Sequence, residues 1–90
     1  MCRNIRTLHH FAPPTTPEEI QAAALQYVRK VSGMVKPHKG HEEDFERAVE
    51  AVAAATTALL GVLPPLHTPP RTREGEKEKA KLRWERRGRE

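Results

Sequence analysis

Two stretches of the chain repeat their apolar residues with the period of an α-helix. In the first, one continuous stripe at positions i, i+3, i+4, i+7, i+8 and i+11 contains Ile20, Ala23, Ala24, Tyr27, Val28 and Val31. Thr16, Pro17 and Glu19 precede it in the order of a capping box with proline at the first helical position. Gly33 follows it as a left-handed C-cap. The pattern predicts a helix over residues 17–32.

The second stripe is longer and richer in alanine. It contains Phe45, Ala48, Val49, Val52, Ala53, Thr56, Leu59, Leu60 and Leu63, and it is widened by Ala51, Ala54, Ala55 and Ala58. Glu42, Glu43 and Asp44 precede it, where acidic side chains suit the dipole of a first helical turn. The pattern predicts a helix over about residues 42–62. Because this helix is apolar around much of its girth, we expect it to contact more than one neighbour.

The connector between the two stripes is short and contains Pro37 and Gly40, which keep it non-helical. Two helices joined in this way form an antiparallel hairpin. The predicted fold class is therefore all-α: a helical hairpin with a packed N-terminal segment and an extended or helical charged tail. Within the N-terminal segment, Ile5, Leu8 and Phe11 recur every third residue, which predicts a helical turn.

The composition of the chain changes after residue 63. Residues 1–63 carry seven Lys or Arg and seven Asp or Glu, whereas residues 64–90 carry nine and five, so the net charge of +4 lies in the second part. We expect a small helical domain over residues 1–63 and a proline-rich spacer over residues 64–70. The charged, basic residues 71–90 are expected to form a flexible tail.

The size and composition of the chain exclude several classes of protein. A helical domain of about sixty residues is marginal alone and needs support from a partner or a metal. Cys2 is the single cysteine, so an intrachain disulfide is excluded. No apolar run is long enough for a membrane span or a signal peptide. We expect a cytoplasmic protein without a membrane partner, and a homodimer in which two hairpins form a four-helix bundle.

Enzymatic activity is the less favoured class of function. The chain has no glycine-rich phosphate loop, no pair of carboxylates in a pocket context and no Ser-His-Asp arrangement with structural support. A core of this size also leaves little room for an enclosed substrate cavity. No cofactor is predicted.

Several separate blocks within residues 1–63 carry a resemblance. They are the opening Met-Cys-Arg-Asn-Ile, Phe11-Ala12-Pro13-Pro14, Glu19-Ile20, Ala22-Ala23-Ala24, Val28-Arg29-Lys30-Val31-Ser32-Gly33 and Lys36-Pro37. In these blocks the chain resembles the small bacterial family catalogued as domain of unknown function 2277. The resemblance implies no activity, ligand or catalytic residue.

The connector gathers positive charge at the turn of the hairpin. Its candidate anion-binding residues are Arg29, Lys30, Ser32, Gly33, Lys36 and Lys39. The cations would supply charge, and the Ser32 hydroxyl and Gly33 N–H would supply donors. The structural alternative is that Arg29 and Lys30 complement the dipole of the first helix, while the lysines pair with the acids that start the second helix.

The tail supplies a second set of candidate contacts, namely Arg83, Trp84, Arg86 and Arg87. Guanidinium groups beside one aromatic ring suit a nucleic acid, above all a single strand, or an acidic protein. Interspersed glutamates dilute this charge, so a solubilising tail is the alternative. The leading hypothesis is a small helical interaction module that binds an anionic partner through the connector and the tail.

A second hypothesis is a metal- or thiol-dependent function. Its candidate residues are Cys2, His9, His10, His38 and His41. Removal of the initiator methionine would leave a cysteine whose free amine lies beside its thiol, and His38 and His41 have a spacing that metal ligands use. Solvated imidazoles and an idle thiol are the alternative. A structural accessory subunit of a larger complex is a third hypothesis.

Overall fold

The computed structural model describes residues 4–64 and 66–89, with side chains up to Arg86. These residues form three helices: α1 over Pro17–Ser32, α2 over Glu42–Val62 and α3 over Arg73–Arg89. Helices α1 and α2 pack on each other as an antiparallel hairpin. The structure confirms the all-α class and both helices of the hairpin.

Helix α1 begins and ends at the residues that its capping signals predict. Thr16 Oγ1 accepts from the Glu19 N–H at 3.2 Å, and the Glu19 carboxylate accepts from the Thr16 N–H at 2.9 Å. Pro17 occupies the first turn. At the other end, Gly33 has φ 73° and donates its N–H to the Arg29 carbonyl at 3.0 Å. A residue without a Cβ adopts this φ at little steric cost.

Alanine substitutions at two glycines test this cap. Gly33→Ala is expected to lower the free energy of unfolding by about 1 kcal/mol, because an L side chain is strained at positive φ. Gly61→Ala, inside α2, is expected to raise it by about 0.5–1 kcal/mol, because alanine is the better helix former. Neither added Cβ would meet another atom within 4 Å, so the backbone alone separates the two variants. Urea denaturation followed by circular dichroism measures both, and equal effects would contradict the cap.

The core lies where α1 faces α2. Its buried side chains are Ala24, Val28, Phe45 and Val49, and Leu25, Met34, Val52 and Ala53 pack against them. Leu8, Phe11 and Ile20 are also buried, where the N-terminal segment meets α1. All buried residues of the described chain are apolar. The core is therefore small, and each of its large side chains contributes a large share of the free energy of unfolding.

The N-terminal segment packs on the hairpin without forming a helix, so the predicted helical turn is wrong. Leu8 and Phe11 are buried as the pattern indicates, but Ile5 is 42% exposed. His10 has φ 64°, which a right-handed helix does not allow. Phe11 forms an isolated parallel β-bridge with Arg71 instead. The conformation of this segment is thus fixed by the pairing of Phe11 with a distant part of the chain and not by a local helical repeat.

Helix α3 is helical throughout residues 73–89 and packs on neither α1 nor α2 within the described chain. Leu82 and Trp84, its large apolar residues, are 52% and 74% exposed. An ion pair of 3.6 Å between Glu76 and Lys79 supports the helix. Of the two forms that the sequence allows for the charged tail, extended or helical, the structure has the helical one, and residues 77–86 are exposed.

Candidate functional site

One carboxylate, that of Glu19, joins three segments of the chain. The Arg73 guanidinium donates to it through Nη2 at 2.7 Å and Nε at 3.1 Å, and Arg6 Nη2 donates at 3.1 Å. The Thr16 N–H completes the set. The hydrogen bonds from Arg73, and then that from Thr16, hold the pKa of Glu19 well below its ordinary value. Hydrogen bonding to Glu19 in turn raises the pKa of Arg73.

The guanidinium N–H groups of Arg73 also hold the start of α3 in place through other hydrogen bonds. Its Nη1 donates to the Pro13 carbonyl at 2.9 Å and its Nη2 to the Pro14 carbonyl at 3.2 Å. The guanidinium carbon lies 5.5 Å from the centroid of the Phe11 ring, and that of Arg6 lies 5.7 Å from it. Arg73 therefore fixes the start of α3 to the N-terminal segment and to the first turn of α1.

Arg71 adds a second attachment, two residues before α3. Its N–H donates to the His10 carbonyl at 2.7 Å, and its carbonyl accepts from the Ala12 N–H at 2.9 Å. Its side chain donates to the His9 carbonyl at 2.7 Å and lies 3.8 Å from Glu76. The base of α3 is thus held by backbone and side-chain bonds together. We call this network of Arg6, Glu19, Arg71 and Arg73 the helix mount.

The helix mount is not predictable from local sequence patterns. These patterns indicate Glu19 as a capping residue and place Arg71 and Arg73 in a charged tail. The Glu19–Arg73 contact spans 54 positions, and no periodic pattern links residues so far apart. Only the three-dimensional fold brings the residues of the helix mount together.

His9 and His10 contact the proline-rich run. The His9 Nε2 lies 3.1 Å from the Pro64 carbonyl oxygen, and the His10 Nε2 lies 2.6 Å from that of Thr68. Either imidazole can donate to a carbonyl with a proton on Nε2. These two candidate ligands therefore serve to hold residues 64 and 68 against the N-terminal segment.

His38 and His41 lie in the connector. His38 is exposed. His41 occupies the N-cap position of α2 without a capping bond from its side chain, and its Nδ1 lies 3.4 Å from an Asp44 carboxylate oxygen. Within residues 4–64 and 66–89, no group of three or more His, Cys, Asp or Glu side chains could hold a metal ion. Cys2, the thiol candidate, lies outside the described residues.

The candidate anion donors of the connector are engaged within the chain. The Ser32 hydroxyl donates to the Val28 carbonyl at 2.6 Å and accepts from the Met34 N–H at 3.2 Å. The Gly33 N–H is bound to Arg29, as described above. The two groups that would add directional hydrogen bonds to an anion site therefore already have partners.

The cations of the connector remain exposed. None of Arg29, Lys30, Lys36 and Lys39 forms an ion pair with another residue of the described chain. Glu42 instead accepts from the Gly40 N–H at 2.9 Å, and Asp44 faces His41. The expected pairing of the lysines with these acids is therefore not found. The connector carries positive charge without a fixed binding geometry.

Helix formation sorts the charges of the tail onto different sides of α3. At 3.6 residues per turn, the acids Glu74, Glu78 and Glu85 share one side. Three exposed cations at i, i+4 and i+7 share another, about a third of a turn away: Lys79, Arg83 and Arg86. We call these three the basic face. One glutamate, Glu76, lies on the same side and 3.6 Å from Lys79, whereas Glu74, Glu78 and Glu85 do not dilute the charge of this face.

Trp84 follows Arg83 in α3, so its side chain lies about 100° around the helix from Arg83, and it is 74% exposed. An indole ring so exposed buries little surface in the folded chain, so packing does not explain it. The candidate Arg87 lies in the last turns of the same helix. The tail candidates thus share one helix whose start is held by the helix mount.

These features define a class of protein: an all-α hairpin on which a separate basic helix is mounted. The chain belongs to the family described as Uncharacterized conserved protein (DUF2277), whose sequence model matches residues 1–79. The match continues beyond residue 63, the end of the region in which the sequence blocks lie, and includes Arg71 and Arg73 of the helix mount. No curated protein and no solved structure matches the chain. None of the described helices has the length and hydropathy required to cross a membrane.

Proposed function

We propose that the protein is an interaction module that binds single-stranded nucleic acid through α3. The basic face of α3, together with the exposed Trp84 on an adjacent side of the same helix, carries this proposal. Exposed Lys79, Arg83 and Arg86 can contact successive phosphates, and a base of a strand that crosses the helix can stack on the indole. Glu74, Glu78 and Glu85 lie on another side, so only Glu76, which lies 3.6 Å from Lys79, adjoins the bound strand.

The helix mount supports the proposal because it gives α3 a defined starting point. A flexible basic tail loses conformational entropy when it binds, whereas a helix with a fixed base loses less. The end of the helix is also strongly charged. Residues 79–89 hold six Lys or Arg and the single acid Glu85. The connector cations, from Arg29 to Lys39, form a second positive surface in the same proposal.

Binding of a fluorescent single-stranded oligonucleotide at a series of salt concentrations tests the proposal. The wild-type affinity is expected to fall steeply with salt, because bound phosphates release counterions. The combined substitution Lys79→Gln, Arg83→Gln and Arg86→Gln removes three phosphate contacts. It is expected to reduce the slope of log affinity against log salt by about 2, at roughly 0.7 per contact. At low salt it should weaken binding at least tenfold.

A comparison variant removes the same charge from the connector, the second positive surface of the proposal. Arg29→Gln, Lys36→Gln and Lys39→Gln lower the net charge equally but leave α3 intact, so the loss of affinity should be smaller. Trp84→Leu should weaken binding by about 1–3 kcal/mol if a base stacks on the indole. Equal losses from both triple variants would contradict a site on α3. Absence of binding at low salt would refute the proposal, and preference for an acidic peptide with no effect of Trp84→Leu would indicate an acidic protein partner.

The proposal also includes the assembly of the chain. Two hairpins are proposed to associate as a homodimer in a four-helix bundle. Apolar side chains left exposed on the hairpin support this, among them Val31 at 65% and Leu59 at 55% exposure. In this scheme residues 1–63 form the body, residues 64–70 the spacer and residues 71–90 the partner-binding part.

A further inference from the structure

One broad side of the hairpin carries an apolar groove between α1 and α2, with a volume of about 430 Å³. Tyr27 and Val31 line it from α1, and Ala48 and Val52 line it from α2. Tyr27 is 48% exposed and Val31 is 65% exposed. Packing within the hairpin therefore does not cover Tyr27 and Val31 of α1, and the α2 residue Ala48 that lines the same groove is small. We call these four residues the open groove.

The α2 side of the open groove continues as a surface of alanines. Ala51 and Ala55 follow Ala48 at i+3 and i+7, and all three are exposed. This spacing keeps them on one side of the helix and permits a partner helix to approach closely. The α1 side offers Tyr27 and Val31 as protruding groups. Each hairpin thus presents large residues on one helix and small residues on the other, so two copies are complementary in shape when α1 of one lies over α2 of the other.

The electrostatics of the open groove show the same complementarity. Lys30 is exposed one turn after Tyr27 on the α1 side, and Asp44 lines the groove on the α2 side. A two-fold axis parallel to the helices would place Lys30 of each copy opposite Asp44 of the other. An axis perpendicular to the helices would separate them, because both residues lie at the connector end of the hairpin. The charges therefore select the first arrangement.

The surface of the chain is large enough for such an interface. The accessible surface is 7408 Å², whereas a compact chain of 10.2 kDa would expose roughly 5300 Å². Part of the difference belongs to the projecting α3. A specific interface of ordinary size buries about 800 Å² on each partner, which is well below the excess of roughly 2100 Å² on this one chain.

We propose that a second copy of this chain occupies the open groove, with α1 of each protomer packed on α2 of its partner and Lys30 paired with Asp44 across the interface. This assignment rests on the homodimer proposed above and specifies its surface and direction. The basic helices of the two protomers would then emerge from one assembly, so a single strand could contact both.

A charge-exchange experiment tests the arrangement. Lys30→Asp places two acids at each contact of its own homodimer, and Asp44→Lys places two cations there, so each variant alone is expected to raise the dimer dissociation constant about tenfold or more. Mixing the two variants restores both opposite-charge pairs, and heterodimers should form with an affinity within about threefold of wild type. A contact within one chain would not be restored by mixing, because each chain carries only one of the two changes. Analytical ultracentrifugation measures all three samples.

A second pair of variants tests the apolar part of the interface. Ala48→Arg places a long charged side chain in the open groove and should dissociate the dimer. Ala54→Arg adds the same side chain on another side of α2 and should leave the dimer intact, and both arginines suit a helix. A dimer insensitive to Ala48→Arg and to charge exchange would overturn this surface but keep the homodimer. A wild-type chain that stays monomeric at high concentration would overturn both this surface and the homodimer. The oligonucleotide experiment tests the binding proposed for α3 independently of that result.

Discussion

Replacing Phe45 with alanine is expected to remove most of the free energy of unfolding of the hairpin, so that up to about half of the chains are unfolded at room temperature. Phe45 is 7% exposed and belongs to the core between α1 and α2, with Ala24, Val28 and Val49. Truncating a buried phenylalanine costs about 3–5 kcal/mol through lost transfer energy and the cavity left behind. A chain with a core this small has a stability at the low end of the range for folded domains, about 5 kcal/mol. The substitution therefore removes most of the free energy of unfolding.

The measurement is urea denaturation followed by circular dichroism, at one protein concentration because a dimer would make stability depend on it. Phe45→Leu is the matched control. It keeps an apolar side chain of similar reach in the core and should cost less than about 1.5 kcal/mol. Trp84→Ala, at a residue 74% exposed, should change stability by less than about 0.5 kcal/mol. An unfolding midpoint of Phe45→Ala equal to that of wild type would contradict the position of the core.

The hairpin could be predicted from the sequence because its determinants are local. Thr16 and Glu19 are three residues apart, and Gly33 ends α1 through a bond to Arg29, four residues away. Such contacts form within one helical turn and depend on residue type and spacing alone. The apolar stripe likewise indicates which side of α1 is buried. The stripe does not indicate what fraction of each side chain is buried. Val31, at the end of the stripe, is 65% exposed because no other element of the single chain covers it.

The N-terminal segment shows where local patterns fail. Leu8 and Phe11 are buried as their apolar character suggests, but their spacing of three does not reflect a helix. Their position is set by the bridge to Arg71 and by the ring contacts of Arg6 and Arg73 with Phe11. Those partners are up to 62 residues away along the chain, so no window of neighbouring residues contains the information.

The candidate site was predictable in composition but not in arrangement. The sequence identifies Arg83, Trp84 and Arg86 as potential contacts, and an exposed helix is where the structure places them. In the sequence these residues are interspersed with glutamates, which would reduce their net charge. Only the register of α3 separates Glu78 and Glu85 from the basic face. The helical state of the tail thus decides whether its charges act together.

Replacing Glu19 with glutamine is expected to destabilise the protein by about 2 kcal/mol at neutral pH, within the range for hydrogen bonds to charged groups. Glutamine retains the size of the side chain and an oxygen that can accept from the Thr16 N–H, so the cap of α1 survives. It removes the negative charge that binds Arg73 and Arg6. Trypsin should then cleave α3 faster than in wild type, because the base of this helix has lost its principal partner. Glu18→Gln is the matched control, since Glu18 is an exposed acid in the same turn and should change neither property.

The pH dependence of stability separates the lost charge from a general defect. The pKa of Glu19 is depressed in the folded state by Arg73 and Thr16. Glu19 therefore binds a proton more readily in the unfolded chain than in the folded one. Its stabilising effect is therefore fully present above the unfolded pKa of about 4.3 and declines as pH falls from there towards the folded pKa. Wild type should lose stability over this acidic range more steeply than Glu19→Gln, and the two unfolding free energies should converge. A constant difference from neutral to acidic pH would show that the helix mount does not depend on the charge of Glu19.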